Sequence, residues 1–273
     1  MSNVINVQTW EECNAKIQEI KRQHPKQSSE FLFRGQANSK WQLTTTLERR
    51  GGKKFNVIDY YRLALRIRSQ IETESGLRWD VPSCNEISDW ARDYDRYQYE
   101  FKAYEYLSHL RHNGFPSPLL DWSRSLQVAA YFAFSSATCG MVAIYVYLEQ
   151  PNSIKARGPG SPAIRTLGQY VRTHRRHFRQ QSTYTVCANY LKDDSDNSYL
   201  WRLASHEEIF GSLGKISQDL LWKIVIPVEE RKKVLANLDE FNLNAYSLFG
   251  SEESLMETLA YREIDLKPLA EMH

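Results

Sequence analysis

Apolar positions change their period several times along the chain, and each change marks an element. Thr9-Trp10-Glu11-Glu12 has the spacing of a capping box, and Cys13, Ile17 and Ile20 recur at helical steps up to His24-Pro25. FLFRGQ, residues 31–36, opens with three apolar residues and reads as a buried strand. WQLTTTLERR reads as a short extended piece before a Gly-Gly turn. Over 56–75 the spacing of Ile58, Tyr61, Leu65 and Ile71 predicts a helix. Ser83-Cys84-Asn85-Glu86 is a second capping box. It predicts one long helix with Ile87, Trp90, Tyr94, Tyr97, Phe101 and Tyr104 on its apolar face, ended by Asn113-Gly114 and Pro116.

Beyond that stop, FPSPLLDWS reads as a loop and SLQVAAYFAFSSA as a short helix buried on most sides. MVAIYVYL, STYTVCANYL and LLWKIVIP read as strands, the first followed by the Pro/Gly-rich loop KARGPGSP. Helices near 228–241 and 252–261 close the chain. Strands and helices do not alternate regularly, which favours an α+β fold over a doubly wound sheet. With no repeat, low-complexity tract or linker, residues 1–273 read as one domain. Its N-terminal part is helical, with a helical insertion at about 56–112.

The composition narrows the classes of function. A net charge of +2 leaves no global attraction for nucleic acid, so any basic surface must be local. MSNVINVQTWEE has neither the basic start nor the apolar core of a leader, and no apolar run approaches a membrane span. Cys13, Cys84, Cys139 and Cys187 stand apart, as expected in a reducing cytoplasm, and do not predict a zinc site. P-loop, GxGxxG and GxSxG patterns are absent, against a P-loop nucleotide hydrolase, a Rossmann dehydrogenase and an α/β-hydrolase.

Four stretches carry candidate chemistry. Arg34 follows the apolar run of FLFRGQ and carries a permanent charge toward the interior. It reads either as a structural ion pair with one of 33 carboxylates or as a bidentate anchor for a phosphate or ribose. Gly35 beside it removes a side chain that would block close approach. In PSPLLDWSRSLQVAAYFAF, Asp121 or Ser123 could cap the following helix, while Asp121-Trp122 could supply an acceptor and a stacking surface at a pocket edge.

From Arg157 to Arg179 the chain holds six Arg, two His and no acid. This is either a solvated face or a phosphate or nucleic-acid contact, with Arg172, Arg175, Arg176 and Arg179 as candidates. His109/His112 and His174/His177 are each three apart, but neither has the Glu of HExxH, so no metal is assigned. Ser205-His206-Glu207-Glu208 reads as a solvated turn or as an acid cluster with Glu207 and Glu208 available for catalysis.

Together these stretches resemble the FRG domain, a bacterial domain named for its Phe-Arg-Gly motif, over roughly residues 28–260. Phe33-Arg34-Gly35 matches the name; HNGFPSPLLDWSRSLQVAAYFA is similar to its His-x-Gly-x-Pro-Thr-x-Leu-Leu-Asp-Trp-Thr segment, with Ser117 for threonine. WQLTTTLERR is similar to its Leu-x-Pro-Ser-Leu-x-Arg stretch, with Thr45 where proline is usual, and HFRQQSTYTVC resembles its Gln-Gln strand entry.

The order of parts is in turn similar to the ADP-ribosyltransferase fold, which implies a split sheet and NAD as substrate. Carried over by position, the resemblance implies that Arg34, with Gly35, Gln36 and Asp121, holds NAD, and that Ser123 or Ser125 braces the pocket. It implies Tyr131 near the nicotinamide and Gln181 at the third-motif position, where the related fold has Glu. Glu207, Glu208 or Asp121 would then supply the missing carboxylate. The implied function is an ADP-ribosyltransferase, as a toxin or antiviral, phage-defence effector acting on nucleic acid or protein. The alternative is a non-catalytic nucleotide- or nucleic-acid-binding module.

Overall fold

Eight strands form one mixed sheet whose centre is a seam. The computed structural model describes residues 3–25, 29–51, 55–149, 159–160, 162–168, 171–193, 198–207, 209 and 219–267. The strands are β1 (Asn3–Asn6), β2 (Phe31–Gln36), β3 (Leu120–Ser123), β4 (Met141–Leu148), β5 (Ala163–Leu167), β6 (Ser182–Lys192), β7 (Tyr199–Leu203) and β8 (Leu220–Pro227). Their order is β1-β8-β4-β2-β3-β6-β5, with β7 also on β6. Only β1 and β8 are parallel. β2 is in register with β4 from Phe31↔Leu148 to Gln36↔Ala143, and β3 with β6 from Leu120↔Thr185 to Ser123↔Ser182. Between β2 and β3 the register holds at one pair, Phe33↔Ser123. The two half-sheets therefore part beyond that pair.

Alternation along the strands builds a core on each face. Phe31 and Phe33 of β2, with Val142, Ile144 and Val146 of β4, pack against α1 (Trp10–Gln23), α7 (Leu126–Phe134) and α9 (Arg231–Glu240). Leu32, Ala143, Tyr145 and Tyr147 face the other way, toward Leu43, Trp122 and Ile209. A third cluster lies under the helical insertion. There α3 (Val57–Ser75), α4 (Cys84–Arg92) and α6 (Tyr104–His112) bury Tyr60, Tyr61, Trp90 and Tyr106 against Tyr184 and Trp201.

Gly35 is required by this packing. A Cβ there would lie 2.5 Å from the backbone nitrogen of Ala133 and closer still to the carbonyl oxygen of Ala129, both in α7. The glycine lets the helix rest directly on β2; its requirement is set by the helix rather than by the approach of a ligand.

Several expectations are corrected. The long helix after Ser83 is three: α4, α5 (Tyr94–Tyr99) and α6. Asp93 is extended and caps α5 by accepting from Arg96 N at 2.9 Å, and Ala103 sits at φ 50°. A short acceptor that can bond its own backbone competes with helix continuation. WQLTTTLERR is not extended throughout: Thr46–Arg49 is a helical turn, α2, under a capping box between Thr45 and Glu48. FPSPLLDWS is not all loop, because it contains β3. The edge strand β1, the hairpin strand β7, and β5 inside the basic stretch were not expected. The C-terminal helices are α9 and α11 (Glu252–Ala260), with an additional α10 (Ala245–Phe249) between them.

Among the described residues no helix is long and apolar enough to cross a membrane.

Candidate functional site

Arg34 lies where the half-sheets part. Its Nη1 donates to the carbonyl oxygen of Asp121 at 2.7 Å, so the side chain reaches across from β2 to β3. No carboxylate of the described residues lies within 4.0 Å of it, and its Nε is buried without a partner. Burial is the main influence on the guanidinium; Asp121 opposes it, Arg111 and Arg49 add to it, and the pKa is pushed down to about 10. An arginine so placed costs stability unless something anionic comes to it.

The opening beside it is a cleft of about 890 Å³, within the range of small-molecule sites. Among the described residues, Arg34, Lys40, Arg49, Arg111 and Arg176 line it, against a single carboxylate, Asp121. Asp121 is already ion-paired with Arg111. The Nε atoms of Arg111 and Arg176 and Oε1 of Gln36 are also buried without a partner among the described residues. Buried polar atoms are nearly always satisfied; the three open Nε–H groups are donors, the kind an anion satisfies, whereas Gln36 Oε1 is an acceptor and calls for a donor. Trp41, 56% exposed, Phe132 and Phe249 supply flat apolar wall. Arg176 stacks over Phe249 at 5.5 Å.

Gln36, Asp121 and Ser123 of the expected site residues line this cleft with Arg34 and Gly35. Ser123 is structural in its bonds: its Oγ donates to Gln180 O at 2.8 Å and accepts from Ser125 N at 3.0 Å. Ser125 is outside the cleft and caps α7, accepting from Val128 N. Tyr131 points elsewhere as well; it lines a separate cavity of about 190 Å³ and donates to Glu257 at 3.3 Å. Phe132, its neighbour on α7, faces the cleft in its place.

At the third-motif position the side chain in the cleft is Gln180, not Gln181. Gln181 is exposed, in the left-handed region at φ 46°, and turns the chain between α8 (Arg175–Arg179) and β6. Glu207 is also outside, accepting from Leu43 N at 3.1 Å, and Glu208 lies outside the described residues. His206 is a core histidine: Nε2 is 2.9 Å from Thr185 Oγ1, and burial pushes its pKa down to about 3. Of the four arginines near α8, Arg176 enters the cleft, while Arg172, Arg175 and Arg179 are exposed beside it.

Arg49, Arg111, His112 and Gln180 belong to the site although sequence reasoning did not select them. Arg111-His112 directly precedes the Asn113-Gly114 helix stop, a position at which basic residues are ordinarily explained by the helix dipole. His109 is turned away to pack on Trp79, with ring centroids 4.6 Å apart.

Residues 29–139 match the model of the FRG domain, a span that includes β2, the helical insertion, β3 and α7. No curated protein and no solved structure matches the chain.

Proposed function

We propose that the cleft binds NAD through its diphosphate, and that the protein is an NAD-dependent ADP-ribosyltransferase-like effector acting on nucleic acid or protein. The observation that carries this reading is Arg34, held at the seam with no carboxylate in range and an unpartnered buried Nε. Five cations around one cleft suit two phosphates, and the bidentate guanidinium geometry suits their oxygens. The aromatic walls suit a nucleobase and a pyridine ring. In the reaction the bond from ribose to nicotinamide breaks, nicotinamide leaves with the bonding pair, and an acceptor nucleophile bonds to the anomeric carbon and loses its proton. Asp121 is the carboxylate of the cleft that could oppose the positive charge developing on the ribose. Exposed Arg172, Arg175 and Arg179 would meet a phosphate-bearing acceptor beside the opening. A toxin or phage-defence role rests on the family resemblance alone.

A second reading, a nucleotide-binding module without turnover, is favoured by two specific features. Gln180 offers an amide where the related fold has Glu, and Asp121 is engaged by Arg111. The test is incubation with NAD labelled on the adenylate, in parallel with lysate, DNA, RNA and buffer alone, and with Arg34→Ala as control. Label transferred by the native protein and lost in Arg34→Ala is expected. Bound NAD with neither transfer nor nicotinamide release refutes the enzyme and leaves the binding module.

A further inference from the structure

We infer that His112 presents a fixed Nδ1–H donor to the ligand of this cleft, its tautomer set from behind by the hydroxyl of Tyr184. The inference rests on the NAD reading for the ligand's identity, but the tautomer is a property of the free protein.

His112, the last residue of α6, lines the cleft, and its Nε2 lies 2.6 Å from Tyr184 Oη. That distance is inside the range of hydroxyl donors and shorter than an ordinary N–H···O bond. Tyr184 Oη has two further neighbours, Ser108 Oγ at 3.2 Å and His177 Nδ1 at 3.2 Å. A phenol has one proton. The short contact assigns it to His112 Nε2, leaving Ser108 and His177 to donate to the phenol oxygen. Burial holds the Tyr184 hydroxyl above its ordinary pKa, so that proton stays.

An imidazole that accepts at Nε2 and is neutral carries its proton on Nδ1. His112 remains neutral because burial drives its pKa down to about 4; Asp121 opposes the shift, and His177, His174 and Arg111 add to it. Nδ1 has no partner among the described residues, so it is the ring nitrogen left for a molecule in the cleft. The five cations attract an anion from any direction. A neutral donor locked in one tautomer adds direction without charge, and so reads the position of a ligand oxygen.

The experiment records long-range proton–nitrogen spectra of the imidazoles in ¹⁵N-labelled native protein, with His112→Asn to assign His112 and Tyr184→Phe to release the lock. ADP-ribose, which lacks the reactive bond, is then titrated in. At pH 7 the native ring is expected to show protonated Nδ1 and bare Nε2, and Tyr184→Phe is expected to populate the Nε2–H form. His112→Asn, which keeps an N–H near Nδ1, should bind ADP-ribose within about threefold of native, while His112→Leu loses about tenfold. A native Nε2–H tautomer at the assigned His112 ring overturns the inference before any binding is measured. Native affinity in His112→Leu overturns it too. If ADP-ribose does not bind the native protein, the NAD reading fails and takes His112's ligand role with it, while the tautomer spectrum stays unchanged.

Discussion

Replacing Arg34 by Met should make the free protein more stable and abolish ligand binding. Burial and the facing Arg111 and Arg49 take the guanidinium from its ordinary 12.5 to about 10. That displacement corresponds to about 3 kcal/mol against the charged form in the folded protein. Methionine keeps most of the apolar stem and removes the charge. The loss to set against this is one hydrogen bond to Asp121 O, of about 1 kcal/mol. The net is a gain of about 2 kcal/mol, which for a chain of 273 residues raises Tm by about 3–4 °C. Differential scanning calorimetry without ligand measures the gain, and isothermal titration with ADP-ribose measures the loss of binding. A Tm several degrees below native would show that Arg34 holds the half-sheets together, and unchanged binding would remove it from the ligand site. Either result refutes the reasoning, because a purely structural arginine and a ligand anchor differ in the sign of this effect.

Gly35→Ala tests the opposite kind of residue. Its Cβ would collide with the backbone of α7 rather than with a movable side chain, so unfolding in urea should show a loss of at least about 3 kcal/mol. A variant of native stability that only binds less would return the glycine to the ligand. The histidines predict the response to acid. His206 and His112 sit near 3 and 4, below their ordinary 6.5. Between those values the unfolded chain binds protons that the folded one does not, so stability is intact at pH 7 and falls as pH drops through 6 toward 4. The two together set a slope of about 2.7 kcal/mol per pH unit in that window. Urea midpoints at pH 7, 6 and 5 measure it, and equal midpoints would contradict the burial of these rings.

Elements with a strong local signature were legible. The Thr9 cap of α1, the helical spacing of 56–75 that is α3, and the apolar runs of β4 and β8 all depend on neighbours a few residues away; the full box does not form, because Glu12 accepts from Gln8 N rather than Thr9 N. The T-x-x-E spacing of Thr45 and Glu48 is equally local and announces α2 within a segment whose other residues favour extended chain. Asp93 likewise carried the signal that breaks the insertion into separate helices. By contrast β3 has four residues behind Pro116 and Pro118, and β5 lies in a basic stretch; both exist because β6 offers its edges.

The site divides along the same line. Arg34 and Asp121 stand out in the sequence by residue type and by their place beside apolar runs, and both line the cleft. Which of Gln180 and Gln181 enters the cleft was decided by a left-handed turn at 181, and which of Tyr131 and Phe132 by the rotation of α7 on β2. Arg111 and His112 reach the cleft only because the helical insertion folds back beside β3, and Glu207 is drawn instead to the amide of Leu43. Local periodicity is a property of adjacent residues and survives in the linear chain. The parting of β2 from β3, and the charge gathered at the opening, come from pairings between segments distant in sequence, and no local pattern encodes them.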